Sequence, residues 1–94
     1  MIKVIAKITL KPGSWDAARP LYNELIKKTN EEDGCIEYAL FIDVEDENKC
    51  CMVESWESQA HLDAHMKTEH FTRIVPMLGE LSSAPTELSI LKKF

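Results

Sequence analysis

Apolar and polar residues alternate from Ile2 to Leu10, with Ile2, Val4, Ala6, Ile8 and Leu10 on one side and Lys3, Ile5, Lys7 and Thr9 on the other. Period two with β-branched residues predicts a strand. Lys11-Pro12-Gly13-Ser14 breaks the pattern, and Ser14 is a suitable N-cap, with Asp16 well placed in the first helical turn. Trp15, Ala18, Tyr22, Leu25, Ile26 and Thr29 then recur at three- and four-residue spacings, which predicts an amphipathic helix. The polar run from Asn30 to Gly34 ends it. Pro20 lies inside the pattern but beyond the first turn, so a kink or a delayed start is expected there.

Cys35 to Val44 reads as a second strand, with Ile36, Tyr38, Leu40, Ile42 and Val44 on one face and Cys35, Ala39, Phe41, Glu37 and Asp43 on the other. Glu45 to Lys49 is a polar turn, and Cys50 to Glu57 forms a third strand carrying Cys50, Met52, Glu54 and Trp56 on one face. Ser58 can cap a short helix with Ala60, Leu62 and Met66. Thr68 can cap the next, whose stripe is Phe71, Ile74, Val75, Leu78 and Leu81, interrupted by Pro76. A loop over 82–85 leads to a last strand, Thr86 to Lys92, with Leu88 and Ile90 on one face and Leu91 on the other.

The order is β-α-β-β-α-β with a split second helix. That predicts an α+β, ferredoxin-like chain: a four-stranded antiparallel sheet with its helices on one face. The opposite face retains apolar residues, most visibly on the second strand. A monomer seldom leaves so large a patch open, so a homodimer packed sheet to sheet is expected.

The 94 residues are expected to form one domain, and a chain of this size has a marginal core by itself. A content of 45% hydrophobic and 29% charged residues excludes disordered and collagen-like readings. Sixteen acidic against 11 basic residues give a net charge of −5, which argues against a nucleic-acid partner. No apolar run is long enough for a membrane span. Met1-Ile2-Lys3-Val4-Ile5 enters the first strand with no secretion-signal pattern, and three cysteines (Cys35, Cys50, Cys51) suit a reducing compartment, so a cytoplasmic location is expected.

Candidate chemistry is concentrated in a few side chains. His61 and His65 are spaced i, i+4, with Glu57 and Glu69 a turn away on either side, but no further ligand set completes a metal site, and none is expected. His65 is a candidate acid or base, because its ordinary pKa lies near neutrality. Glu54 and Trp56 share one strand face, either at a sheet edge or inside a pocket. Tyr38 places a hydroxyl on an apolar face, and buried tyrosine hydroxyls usually find a partner. There is no Gly-rich phosphate loop, no G-x-S-x-G elbow and no Cys-x-x-Cys, and nothing suggests a nicotinamide or a flavin. No cofactor is therefore expected.

Three motifs carry a family resemblance. Glu32-Asp33-Gly34-Cys35-Ile36-Glu37-Tyr38 resembles the E-x-G-C-x-x-Y entry to the second strand of the antibiotic biosynthesis monooxygenase (ABM) domain family. Glu54-Ser55-Trp56 resembles its E-x-W third strand, and residues 60–71, from Ala60 to Phe71, resemble its A-x-x-x-H-x-x-T/S-x-H-F helix junction. The resemblance implies a dimeric α/β barrel with a pocket between helices and sheet. It further implies oxidation of a quinol or phenolic, polyketide-like small molecule by O₂ without metal or flavin. On that reading His65 is the base, Tyr38 orients an oxygen and Trp56 forms a wall, while His70, Glu54 and Phe71 bind substrate. Haem-degrading relatives of this fold need an Asn, a Trp and a His where this chain has Ala6, His65 and Val75, which argues against haem. An isomerase of the autoinducer-processing type and a non-catalytic dimeric ligand-binding or stress-response module remain the alternatives.

Overall fold

The computed structural model describes residues 1–94. Its elements are β1 (Ile2–Thr9), α1 (Trp15–Asn30), β2 (Cys35–Ile42), β3 (Lys49–Trp56), α2 (Gln59–His65), α3 (Glu69–Glu80) and β4 (Glu87–Lys92). All strand pairings are antiparallel, in the order β2-β3-β1-β4. This is the expected ferredoxin-like α+β fold. The register sets Val4 against Glu54 and Ile90, and Glu54 against Tyr38, so these four side chains form one row across the helix-side face. Ala6, Met52, Leu40 and Leu88 form the next row.

Neither helix proline breaks its helix, and Pro20 does not delay the start of α1. α1 starts at Trp15 and runs unbroken past Pro20, and α3 runs unbroken past Pro76. Each proline is solvent-exposed and removes one N–H, while burial of Ala18, Tyr22 and Leu25, and of Ile74 and Leu78, continues on the other side of the helix. Ser14 precedes α1 but makes no side-chain cap. Ser58 and Thr68 do cap, their hydroxyls accepting from the His61 and Phe71 N–H groups, each at 3.3 Å.

The second strand is shorter and differently aligned than its alternation predicts. Asp43 Oδ1 accepts from the N–H groups of Glu45 and Asp46, a local turn that ends the strand at Ile42 and leaves Val44 fully exposed. A register shift lies between Cys35 and Glu37: Cys35 pairs with Trp56 and Glu37 with Ser55. The extra residue is Ile36, which is exposed. Cys35 therefore shares the helix-side face with Tyr38, where simple alternation had set it on the opposite face.

The core lies between the sheet and α1, α2 and α3, around Val4, Tyr22, Leu25, Met52, Trp56 and Ile74. Only 18 of 94 residues are buried, so one chain forms a modest core. The other sheet face, where Ile5, Val53 and Ala39 form one row with Phe41 and Leu91 in the rows on either side, has no layer over it, and Phe41 and Leu91 are 55% and 48% exposed. β4 is exposed along its whole length. No helix is long and apolar enough to cross a membrane.

Candidate active site

Glu54 and Trp56 are two residues apart on β3, so both side chains face the helices, and both are buried. The Trp56 Nε1–H donates to Glu54 Oε1 at 3.0 Å. Tyr38, opposite Glu54 on β2, is buried as well. His65 closes α2 and is 1% exposed, and its ring packs against Trp56, Phe71 and Tyr38 at centroid separations of 4.7, 5.0 and 5.4 Å. The capped start of α3 brings in His70 and Phe71.

Glu32, in the loop between α1 and β2, joins these elements. Its Oε2 lies 2.7 Å from His65 Nδ1 and 2.7 Å from His70 Nε2. A carboxylate can only accept, so each of those ring nitrogens carries a proton. In neutral His65 the unshared pair is then on Nε2, which is buried and has no partner. Burial lowers the His65 pKa below its ordinary value, while the Glu32 carboxylate opposes that shift.

A cavity of about 290 Å³ opens between the sheet and the helices. Its lining is mostly apolar, with Met52, Leu25, Val75, Leu78 and Leu88 among its walls, and Glu54 supplies its carboxylate and Tyr38 and Tyr22 its phenols. Burial pushes the Glu54 carboxyl up to about 7, against the Trp56 hydrogen bond and with the help of the Glu32 charge. Burial first, then the charges of Glu54 and Glu32, raises the Tyr38 phenol, so that it stays protonated as a donor. A larger depression of about 460 Å³ lies at one end of the sheet between Lys7, Phe41, Asp43, Lys49 and Glu87, away from the histidines and Glu54. The smaller cavity pairs a mostly apolar lining with a carboxyl that burial pushes towards neutrality, which makes it the candidate acid-base site.

The residues singled out in the sequence divide into two layers. Tyr38, Glu54 and Phe71 line the cavity. His65 and Trp56 do not. Both stand behind its wall, so Trp56 is a hydrogen-bond donor to Glu54 rather than a wall itself. His70 sits on the outer side against Glu32. His61, one turn earlier on α2, does not join the Glu32–His65–His70 group and instead contacts Ser58 and Asp33. Glu32 was not singled out as a site residue. Thirty-three positions separate it from His65, and only its place in the E-x-G-C-x-x-Y pattern marked it.

Glu32, His65 and His70 also offer one ligand atom each within 4.8 Å of one another, enough to hold a divalent ion. Coordination through His65 Nδ1 would move the ring proton to Nε2, a buried site with no acceptor. Metal-bound histidines normally donate that second N–H, so the set suits a carboxylate binding two imidazoles better than a metal. All three cysteines are free thiols.

Comparison with known proteins places the chain. A crystal structure described as an antibiotic biosynthesis monooxygenase superposes with a TM-score of 0.96 at 38% identity, covering 100% of this chain and 99% of that one. The Escherichia coli protein named "Probable quinol monooxygenase YgiN" is 32% identical over 80 residues, covering 74% of this chain and 77% of its own length. An uncharacterised Synechocystis protein is 31% identical over 91 residues, and this chain spans 97% of itself but only 62% of that relative. The family model described as antibiotic biosynthesis monooxygenase matches residues 1–77, and the chain belongs to that family.

Proposed function

We propose that the chain is a monooxygenase that oxidises a quinol or related phenol with O₂ inside the 290 Å³ cavity, without a bound cofactor. One observation carries this reading: a single carboxyl, Glu54, faces a mostly apolar cavity, and its burial there pushes it up to about 7. A base of that strength can take a phenolic proton near neutral pH. The similarity to YgiN supports a quinol as the substrate.

In this mechanism Glu54 takes the O–H proton while Tyr38 donates a hydrogen bond to an oxygen of the substrate. Glu54 replaces His65 as the base because it lines the cavity and His65 does not. The phenolate passes one electron to O₂, and phenoxyl radical and superoxide combine to form a carbon–oxygen bond. Loss of the hydrogen on that carbon with cleavage of O–O then gives a quinone and water. O₂ accepts four electrons in all, every one of them from the substrate. The protein contributes a base, orientation and a cavity with little water.

A second copy is part of the proposal. The uncovered sheet face bearing Phe41, Leu91, Ile5 and Val53 is the surface where two chains would meet. The test of function is O₂ uptake with a panel of hydroquinones and naphthols, with and without chelator. Uptake above the enzyme-free rate, insensitive to chelator and with one atom of ¹⁸O₂ in the product, is expected. No uptake with any member, or uptake abolished by chelator, would overturn the reading.

A further inference from the structure

We propose that Glu32 is a positioning residue for proton removal, acting on Glu54 through His65 and Trp56. The inference rests on Glu54 being the base. Contacts link the four residues in sequence. Glu32 Oε2 accepts from His65 Nδ1–H at 2.7 Å, the His65 ring packs on Trp56 at 4.7 Å, and Trp56 Nε1–H donates to Glu54 Oε1 at 3.0 Å. They come from the α1–β2 loop, α2 and β3, elements that the sheet alone does not hold in one arrangement.

Glu32 fixes the tautomer of His65. With the Nδ1 proton bound by the carboxylate, Nε2 keeps an unshared pair inside an aromatic enclosure formed by Trp56, Tyr38 and Phe71. The other tautomer would bury an N–H there with no acceptor, at the usual cost of an unmade hydrogen bond. His70 donates to the same Glu32 oxygen from the start of α3 and limits the directions in which the carboxylate can turn. A ring fixed in this way gives Trp56 a fixed surface, and Trp56 leaves one oxygen of Glu54 free for the substrate. The charge of Glu32 also helps to raise the proton affinity of Glu54.

Glu32→Gln separates positioning from mere support. An amide can donate to Nδ1 as well as accept from it, so the His65 proton is free to move to Nε2. Carboxylate-to-amide exchange beside a catalytic imidazole is known to leave the fold intact while disturbing the tautomer. Side-chain ¹⁵N spectra of the wild type should show a protonated Nδ1 and an unprotonated Nε2 at His65, and Glu32→Gln should give mixed or reversed signals. In the same variant kcat should fall about tenfold to a hundredfold, the usual cost of losing an outer hydrogen bond in a site, with KM little changed. The ¹³C titration midpoint of Glu54 should move to lower pH.

A wild-type His65 protonated at Nε2 alone would overturn the proposal without any variant, even if Glu32→Gln fails to fold. Unchanged kcat and an unchanged Glu54 midpoint in a folded Glu32→Gln would also overturn it. If Glu54→Gln keeps wild-type turnover, the failure lies in the choice of base, and positioning of that base fails with it. If no substrate turns over, the ¹⁵N spectra and the Glu54 titration still decide whether Glu32 acts on Glu54.

Discussion

Glu54 is costly to the fold where it stands, and that cost depends on pH. Its carboxyl is raised from an ordinary 4.5 to about 7, so between those values the folded chain binds more protons than the unfolded one. Stability from this group is complete below about 4.5 and is lost as pH rises towards 7, a loss on the order of 3 kcal/mol. His65 works in the opposite sense. Its pKa is lowered, so its contribution is present above its ordinary value near 6.5 and is lost as pH falls from there through its lowered pKa. Glu54→Gln is therefore expected to raise the melting temperature at pH 8 and to do little at pH 4.5. Equal shifts at both pH values, measured by calorimetry, would mean that Glu54 is not a raised carboxyl. Tyr38→Phe removes a donor from the cavity and should raise KM up to about tenfold while leaving the fold intact, as the loss of one neutral hydrogen bond implies.

At the scale of the elements, the hydrophobic periods of Ile2 to Leu10 and Trp15 to Thr29 announce β1 and α1, and Ser58 and Thr68 announce the starts of α2 and α3. The bulge at Ile36 was not legible, because it arises from how β2 pairs with β3 rather than from any property of β2 alone. The same reason hid half of the site. Glu54, Tyr38, Phe71, His65 and Trp56 could be named from spacing and family likeness, but that the first three meet the cavity and the last two do not depends on register and on the packing of α3. The role of Glu32 required the fold itself. Gly34 shows how tightly its loop is drawn: it has φ +80, and a Cβ there would lie 2.2 Å from the His61 ring. Gly34→Ala is expected to cost at least about 1 kcal/mol from backbone strain alone and more from the clash. Denaturant unfolding checks this, and a variant as stable as wild type would show that the loop relaxes freely. Thr68→Ala removes the α3 cap and should cost about 1 kcal/mol.

The whole molecule measures 36 × 30 × 19 Å, and its thin dimension fits one sheet under one layer of helices. Such a body has an uncovered side. If two chains meet there, Phe41→Glu places a charge in the contact and should yield monomers of lower melting temperature in sedimentation at micromolar concentration. A wild type that sediments as a monomer would remove the dimer from the proposal and leave the cavity as the property of one chain.

The most direct measurement is the pH dependence of kcat/KM for O₂ consumption with a hydroquinone, in the wild type and in Glu54→Gln. For a base that must be ionised before it can act, kcat/KM rises with pH through an inflection near 7. Glu54→Gln should lose that limb together with nearly all of its turnover. Wild-type rates and the same inflection in Glu54→Gln would contradict the assignment of Glu54 as the residue that takes the proton.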